Sequence, residues 1–278
     1  MEKQDRYTRL SKFLRYRRAI AIPVTFLMLF VSLTVLVSAT YYFSMTKIGT
    51  KASALRASGA EQEMLSLEKV IKFVVWSPGA HEIYEFGAYG GRLKVQPTAN
   101  RLALNITDNS SFYEVFFDGS IGKVAYELST TEPYDDVYFI GDSRSIVNQS
   151  SSTMTQLGVS QGSENYEMTL SYRPQAGSTA TGSSGGKPVN SIRIYVINLN
   201  SSQITARSAS LRLKITCLNI TSTWKSYDFT SPITYLLVKA NLNGVTGQVS
   251  LPIASNELGA TVTLETVVCN IKMEEVGW

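Results

Sequence analysis

The chain has 278 residues, of which 17% are charged and 44% hydrophobic, with a net charge of +4, two cysteines and a single histidine. That length accommodates one large β-domain with a proper core, two small ones being the alternative. Lys3, Arg6, Arg9, Lys12, Arg15, Arg17 and Arg18 all fall in the first eighteen residues, against only Glu2 and Asp5. The remainder is nearly neutral, so the basic balance marks a local tag, and no nucleic-acid partner is expected.

From Ala19 to Thr46 there is no charged side chain, and Ile20 to Val37 is almost unbroken Ile, Val, Leu, Phe and Met. At ~1.5 Å per residue, the twenty residues from Ile20 to Ala39 span the ~30 Å hydrocarbon core of a lipid bilayer. Tyr41, Tyr42 and Phe43 then stand where an outer aromatic belt belongs. Only Lys47, Lys51 and Arg56 follow closely, so the positive-inside bias places the N-terminus in the cytoplasm and the rest of the chain outside. A cleaved secretory signal is the rival reading. The apolar run exceeds the ~7–15 residues of such a signal, and Val37-Ser38-Ala39 only loosely offers its cleavage site.

Helical character continues, because no proline occurs between Pro23 and Pro78 and Ala52, Ala54, Leu55, Ala57 and Ala60 all favour helix. Gly49 and Gly59 are its weak points. Met64, Leu67, Val70, Ile71 and Val74 recur at helical spacing as one apolar stripe, and Ser77-Pro78-Gly79 ends the helix. Unbroken from Ile20 to Val75, it would be about 84 Å long. The first half is expected in lipid and the second docked on a β-domain, so an aspartate at Val70 should detach or unfold the junction.

Beyond Gly79 the period changes to two. Tyr166, Met168, Leu170 and Tyr172 alternate with Glu167, Thr169 and Ser171, and Leu211, Leu213, Ile215 and Cys217 alternate with Arg212, Lys214 and Thr216. Further strands are expected at 82–86, 92–95, 102–106, 113–117, 123–128, 137–140, 191–197, 234–241, 248–252 and 261–272. Gly90-Gly91, Asp118-Gly119 and Asn243-Gly244 read as hairpin turns, and the Gly/Ser/Thr-rich stretch from Gln175 to Pro188 as a flexible surface loop. The fold class is therefore mainly β: a long N-terminal transmembrane α-helix followed by an all-β sandwich head. Three segments follow: a basic cytoplasmic leader at 1–19, a transmembrane and stalk helix at 20–78, and an extracellular β-sandwich domain at 79–278.

Catalytic constellations are thin. His81 follows the Ser-Pro-Gly stop directly and has no G-x-S-x-G elbow to serve. Gly182-Ser183-Ser184-Gly185-Gly186-Lys187-Pro188 imitates a phosphate loop but puts proline where a hydroxyl should hold magnesium. Glu132, Asp135 and Asp136 form the densest acidic cluster, which reads as a solvated turn, a calcium site being the alternative. No metal and no cofactor is expected. Cys217 and Cys269 are too few for zinc; a disulfide and burial as small hydrophobes both remain open. Five glycosylation sequons begin at Asn105, Asn109, Asn148, Asn200 and Asn219, where roughly three are expected by chance, and all lie on the outer side.

The stretch Arg17-Arg18-Ala19-Ile20-Ala21-Ile22-Pro23-Val24, followed by an apolar helix, resembles the N-terminus of archaeal type IV pilin-like proteins. In that family a prepilin peptidase cuts on the cytoplasmic side after a basic residue plus a small one. The resemblance implies that Arg17, Arg18, Ala19 and Ile20 form the processing site, with Ile20 as the new first residue. Pro23 also matches the family, which implies a long helix, a β-rich head and a filament core of bundled helices, so other pilin-like subunits would be partners. Bacterial pilins carry a glutamate at the fifth mature position, where this chain has Val24. That departure favours an archaeal or a minor, non-filament role. The expected function is a non-enzymatic membrane-anchored surface protein, a pilin-like filament or adhesion subunit. The alternative is an unprocessed single-pass protein whose β-domain binds a ligand or envelope component through Tyr134, Tyr138 or Trp224.

Overall fold

One helix, α1 (Glu2–Val74), opens the chain. The computed structural model describes residues 2–129, 136–150, 152–161, 166–200, 204–207 and 210–277, and at 2–22, 161, 206 and 207 the backbone alone. Neither Gly49 nor Gly59 interrupts α1, since each costs only ~1 kcal/mol against alanine. Gly59 has a packing reason: a Cβ there would lie 2.2 Å from the ring of Tyr89. The last turn closes with Val75 N–H donating to the Ile71 carbonyl at 2.9 Å and Ser77 N–H to that of Val74 at 3.2 Å. The chain reverses at Trp76, with φ of +68°, just ahead of the Ser77-Pro78-Gly79 signal. A left-handed tryptophan costs about 1–2 kcal/mol. Its ring offsets this by meeting Tyr195 edge-on at 5.3 Å.

Fourteen strands follow among the described residues. They are β1 (His81–Phe86), β2 (Arg92–Thr107), β3 (Tyr113–Leu128), β4 (Val137–Ile140), β5 (Val147–Asn148), β6 (Thr155–Gln161) and β7 (Tyr166–Tyr172). The rest are β8 (Gln175–Ser184), β9 (Lys187–Leu199), β10 (Ile204–Arg207), β11 (Leu211–Phe229), β12 (Tyr235–Leu242), β13 (Val245–Pro252) and β14 (Ala260–Glu275). One sheet runs β1-β11-β14-β9-β8-β5; the other runs β13-β12-β2-β3-β7-β6-β4, with β10 also on β2. Most pairs are antiparallel; β14–β9 and β5–β8 are parallel. The chain is thus mainly β, a long apolar N-terminal helix followed by a β-sandwich head.

Three local expectations change. The stretches expected at 92–95 and 102–106 are one strand, and Pro97 sits in the register shift between Gln96 and Asn100, where its missing N–H costs no ladder bond. Asp118-Gly119 is no turn. It runs extended through β3, opposite Ala103 and Leu102, with Asp118 paired to Arg101 at 3.0 Å. The expected loop from Gln175 to Pro188 is instead the β8–β9 hairpin, turning on Gly185 and Gly186 at φ of +58° and +81°. Its small polar residues are exposed strand positions, and a register shift between Ala180 and Gly182 bends it. Asn243-Gly244 does turn β12 into β13, with both residues at positive φ.

The chain falls into two compact units, Met1–Leu55 and Arg56–Trp278. In the second unit, Ala57, Ala60, Met64, Leu67, Ile71 and Val74 are buried, at alternating spacings of three and four. They share one core with residues of both sheets, among them Val95, Val124, Met168, Leu213, Ile215 and Ile271. A second core, around Leu104, Ile106, Ile194, Val238 and Leu264, is built from sheet residues alone. Val70 flanks the seam and is half-buried, so Leu67 is the sharper probe.

Leu67→Ala should cost about 2–5 kcal/mol, as truncations of fully buried leucines do. Phe73→Ala, on the same helix but 74% exposed, should change stability by less than about 0.5 kcal/mol. Denaturation of the full chain in detergent, followed by tryptophan fluorescence, measures both.

Candidate functional site

Two features of α1 bear on function: what surrounds its apolar stretch and what holds its last turns. Large apolar side chains from Val24 to Ile48 are exposed around the helix, Phe26 reaching 72%. The segment Pro23–Val74 contains a window long and apolar enough to cross a membrane. Four of its hydroxyls bond to the helix itself. Ser32 donates to the Leu29 carbonyl at 2.9 Å, and Thr34, Thr40 and Thr46 donate to carbonyls four residues back at 2.8–2.9 Å. Such internal satisfaction suits a hydrocarbon surrounding, where an unpaired polar group costs several kcal/mol. Arg17, Arg18, Ala19 and Ile20 lie within α1 by their backbone, and their side chains are outside the described residues.

The last turns are held by polar contacts as well as by the apolar seam. Glu68 is buried, and its carboxylate accepts from Thr155 Oγ1 at 2.6 Å and pairs with Lys72 at 2.6 Å. The Tyr172 hydroxyl lies buried nearby without a hydrogen-bond partner among the described residues. Burial first, and the Glu68 charge second, push its phenol well above the ordinary value. One turn earlier, Glu63 accepts a hydrogen bond from Tyr84 and a longer one, at 3.4 Å, from Tyr89. Burial and Glu63 likewise raise Tyr84.

In the head, Arg173 is fully buried at the end of β7. Its guanidinium donates to the carbonyls of Thr153 at 3.1 Å, Asp142 at 3.2 Å and Arg144 at 3.1 Å, and pairs with the Asp142 carboxylate. Gln156 Nε2 donates to the carbonyls of Asp142 and Arg144 at 2.8 and 3.1 Å. These contacts tie Asp142, Arg144 and Thr153 to the ends of β6 and β7. Beside them opens a cleft of about 460 Å³, lined by Asp136, Tyr138, Ser143, Gln156, Thr169 and Ser171. Tyr138 also has a structural task there, its ring lying over Gly158 on the paired strand.

His81 is exposed at the start of β1, opposite Thr216. Of the acidic cluster, Glu132 and Asp135 fall outside the described residues, as does Tyr134; Asp136 is exposed. No group of three metal-ligating side chains occurs among the described residues. The phosphate-loop imitation is the β8–β9 turn, and its Lys187 pairs with Asp228 at 2.8 Å. Trp224 is exposed on β11, opposite Glu265.

The sequons differ in setting. Asn105 lies in mid-strand with its Oδ1 buried, and its Thr107 is buried and accepts from the Asn109 N–H at 2.9 Å. Asn109 is exposed in the β2–β3 turn, at φ of +66°. Asn148 uses its Oδ1 to accept from Ser150, and Asn219 to accept from Asn270 at 2.8 Å. Asn200 is exposed at the end of β9, and the two residues completing its sequon lie outside the described residues. Cys217 and Cys269 are buried on the adjacent strands β11 and β14, with their sulfurs 3.5 Å apart.

In comparisons with protein-family models, curated proteins and solved structures, nothing matches the chain. The fold and the exposed apolar helix define a class only: a β-sandwich head preceded by a candidate membrane span.

Hydrogen bonds from Arg144, then from Arg173, hold the Asp142 carboxyl well below the usual carboxylate range. Its stabilisation is complete above the unfolded carboxylate value of ~3.9 and is lost as pH falls below it. Asp142→Asn should cost about 2 kcal/mol at pH 7, less than the roughly 3–5 kcal/mol for breaking a fully buried pair, because the Asp142 side chain is 41% exposed. The difference from the unsubstituted chain should shrink as pH falls through and below ~3.9. Denaturant titrations at a series of pH values read both effects.

Proposed function

We propose that the chain is a non-enzymatic, membrane-anchored surface protein of the type IV pilin-like kind, a minor filament or adhesion subunit. The N-terminus lies in the cytoplasm and the β-head outside. The observation that carries this reading is the composition of α1. Residues 24–46 carry no charge and expose large apolar side chains, with Ser32, Thr34, Thr40 and Thr46 bonded to the helix's own carbonyls, whereas residues 57–74 are apolar along one buried seam of the head. An anchor of the first kind serves lipid or a bundle of like helices equally. The N-terminal motif points to the bundle.

Processing by a prepilin peptidase is the step that separates the two environments. The seven leader cations, each unfavourable by about 2.5–3.5 kcal/mol at a membrane helix centre, lock the tail inside. Cutting after Ala19 removes all of them and frees the helix to leave the bilayer sideways. A plain single-pass protein with a ligand-binding head is the second reading, favoured by the cleft beside Tyr138, where an aromatic ring stands close to the side chains of Ser143, Gln156, Thr169 and Ser171.

N-terminal sequencing of protein from native membranes should find Ile20 first, and replacing Arg18 by Asp together with Ala19 by Leu should abolish that species. Met1 or Glu2 at the terminus would leave the second reading.

An exterior head should also carry glycans, and exposure ranks the sequons. Intact-peptide mass spectrometry should find Asn109 occupied and Asn105, locked in mid-strand, bare. An unmodified Asn109 in the native host would overturn that ranking.

A further inference from the structure

We propose that Cys217 and Cys269 are joined by a disulfide in the native protein, pinning β11 to β14 beneath the turn that ends α1. This rests on the reading that the head lies outside, where thiols meet an oxidising environment. The chain's only two cysteines, 52 residues apart, come to rest side by side, both fully buried, with their sulfurs at 3.5 Å. Closing that gap to the ~2.05 Å of an S–S bond asks for a shift of about 1.5 Å. The register permits it. Cys217 pairs with Ile271 and Ile220 with Cys269, and the extra residue between Cys217 and Asn219 bends β11 at the cysteine itself.

The location explains what such a bond would hold. Gly79 N–H donates to the Cys217 carbonyl at 2.8 Å, and Cys217 N–H donates to that of Ala80 at 3.0 Å. Both cysteines belong to the core that contains the α1 seam. No histidine, aspartate or glutamate joins them in a metal-ligating group among the described residues.

The oxidant is a disulfide, that of a thiol oxidoreductase in the cell or of oxidised glutathione in the tube. The thiolate of one cysteine attacks it, forming a mixed disulfide and expelling one thiolate of the oxidant. The second cysteine thiolate then attacks the sulfur of the first, expelling the remaining thiolate. One S–S bond forms and one breaks, the oxidant takes two electrons, and the two cysteine protons leave. Burial pushes the Cys269 thiol up to about 12 in the folded chain, which leaves almost no thiolate there. The exchange therefore belongs to folding, before the core closes.

Full-length protein from native membranes is denatured in N-ethylmaleimide, digested without reductant and read by mass spectrometry. In parallel, the reduced full chain is refolded in detergent with a glutathione redox buffer. The expected result is a linked Cys217–Cys269 peptide pair in both samples. Adding dithiothreitol during denaturant unfolding should then raise the unfolding equilibrium constant on the order of a thousandfold, from the loop of about fifty residues released. Alkylated cysteines in both samples overturn the disulfide alone and leave the outward placement of the head intact. Alkylated cysteines in the native sample with a linked refolded one overturn the disulfide and the outward placement together.

Discussion

Ala57, Ala60, Met64, Leu67, Ile71 and Val74 leave solvent only because strands of both sheets supply the walls around them. Fully burying each of the larger ones is worth about 1.5–3 kcal/mol. The head depends on this as much as the helix does. Phe86, Val95, Val124, Leu213 and Ile271 face the same core, and without the seam they would face a cavity between the sheets. The second core, around Leu104, Ile194 and Leu264, needs no helix. The sandwich thus has one self-sufficient part and one that α1 completes.

Apolar burial leaves the rotation and height of a helix loosely set, and the polar contacts narrow both. Glu68 follows Leu67 in sequence and is buried, so its charge needs Thr155 and Lys72 in place. Turning the helix by one residue would bring Lys69 inward and separate Glu68 from Thr155. Glu63 with Tyr84 and Tyr89, and the close approach of Tyr89 to Gly59, repeat the constraint on the preceding turns. Arg173 does for Asp142, Arg144 and Thr153 what Glu68 does for the helix. It draws three carbonyls and the Asp142 carboxylate onto one buried guanidinium.

The apolar run, the seam and the strands with clean alternation, such as Tyr166–Tyr172, were legible in the sequence because each is a periodic pattern of side-chain polarity. What escaped was decided by neighbours far along the chain. Asp118-Gly119 has the residues of a turn, yet β2 offers it partners on both sides of that dipeptide, and the ladder prevails over the local preference. The Gly/Ser/Thr composition of 175–184 signals exposure, which an outward hairpin satisfies as well as a loop does. Glu68 and Arg173 gave weak signals, a charge inside an apolar stripe and a charge at the end of a buried strand. Neither shows its partner, because Thr155 and Asp142 lie 87 and 31 residues away.

The two stretches of α1 obey different rules. Between Val24 and Thr46 large apolar side chains are exposed and no side chain is charged. From Ala57 on, the spacing of three and four confines apolar burial to one face, and Lys69, Lys72 and Phe73 remain outside it. The buried residues of the seam run from Ala57 to Val75. On the proposed reading, an exchange of lipid for like helices around residues 24–46 would fall on the apolar stretch alone. There the side chains would trade one hydrocarbon contact for another, and Thr34, Thr40 and Thr46, already bonded to their own backbone, would have nothing to lose.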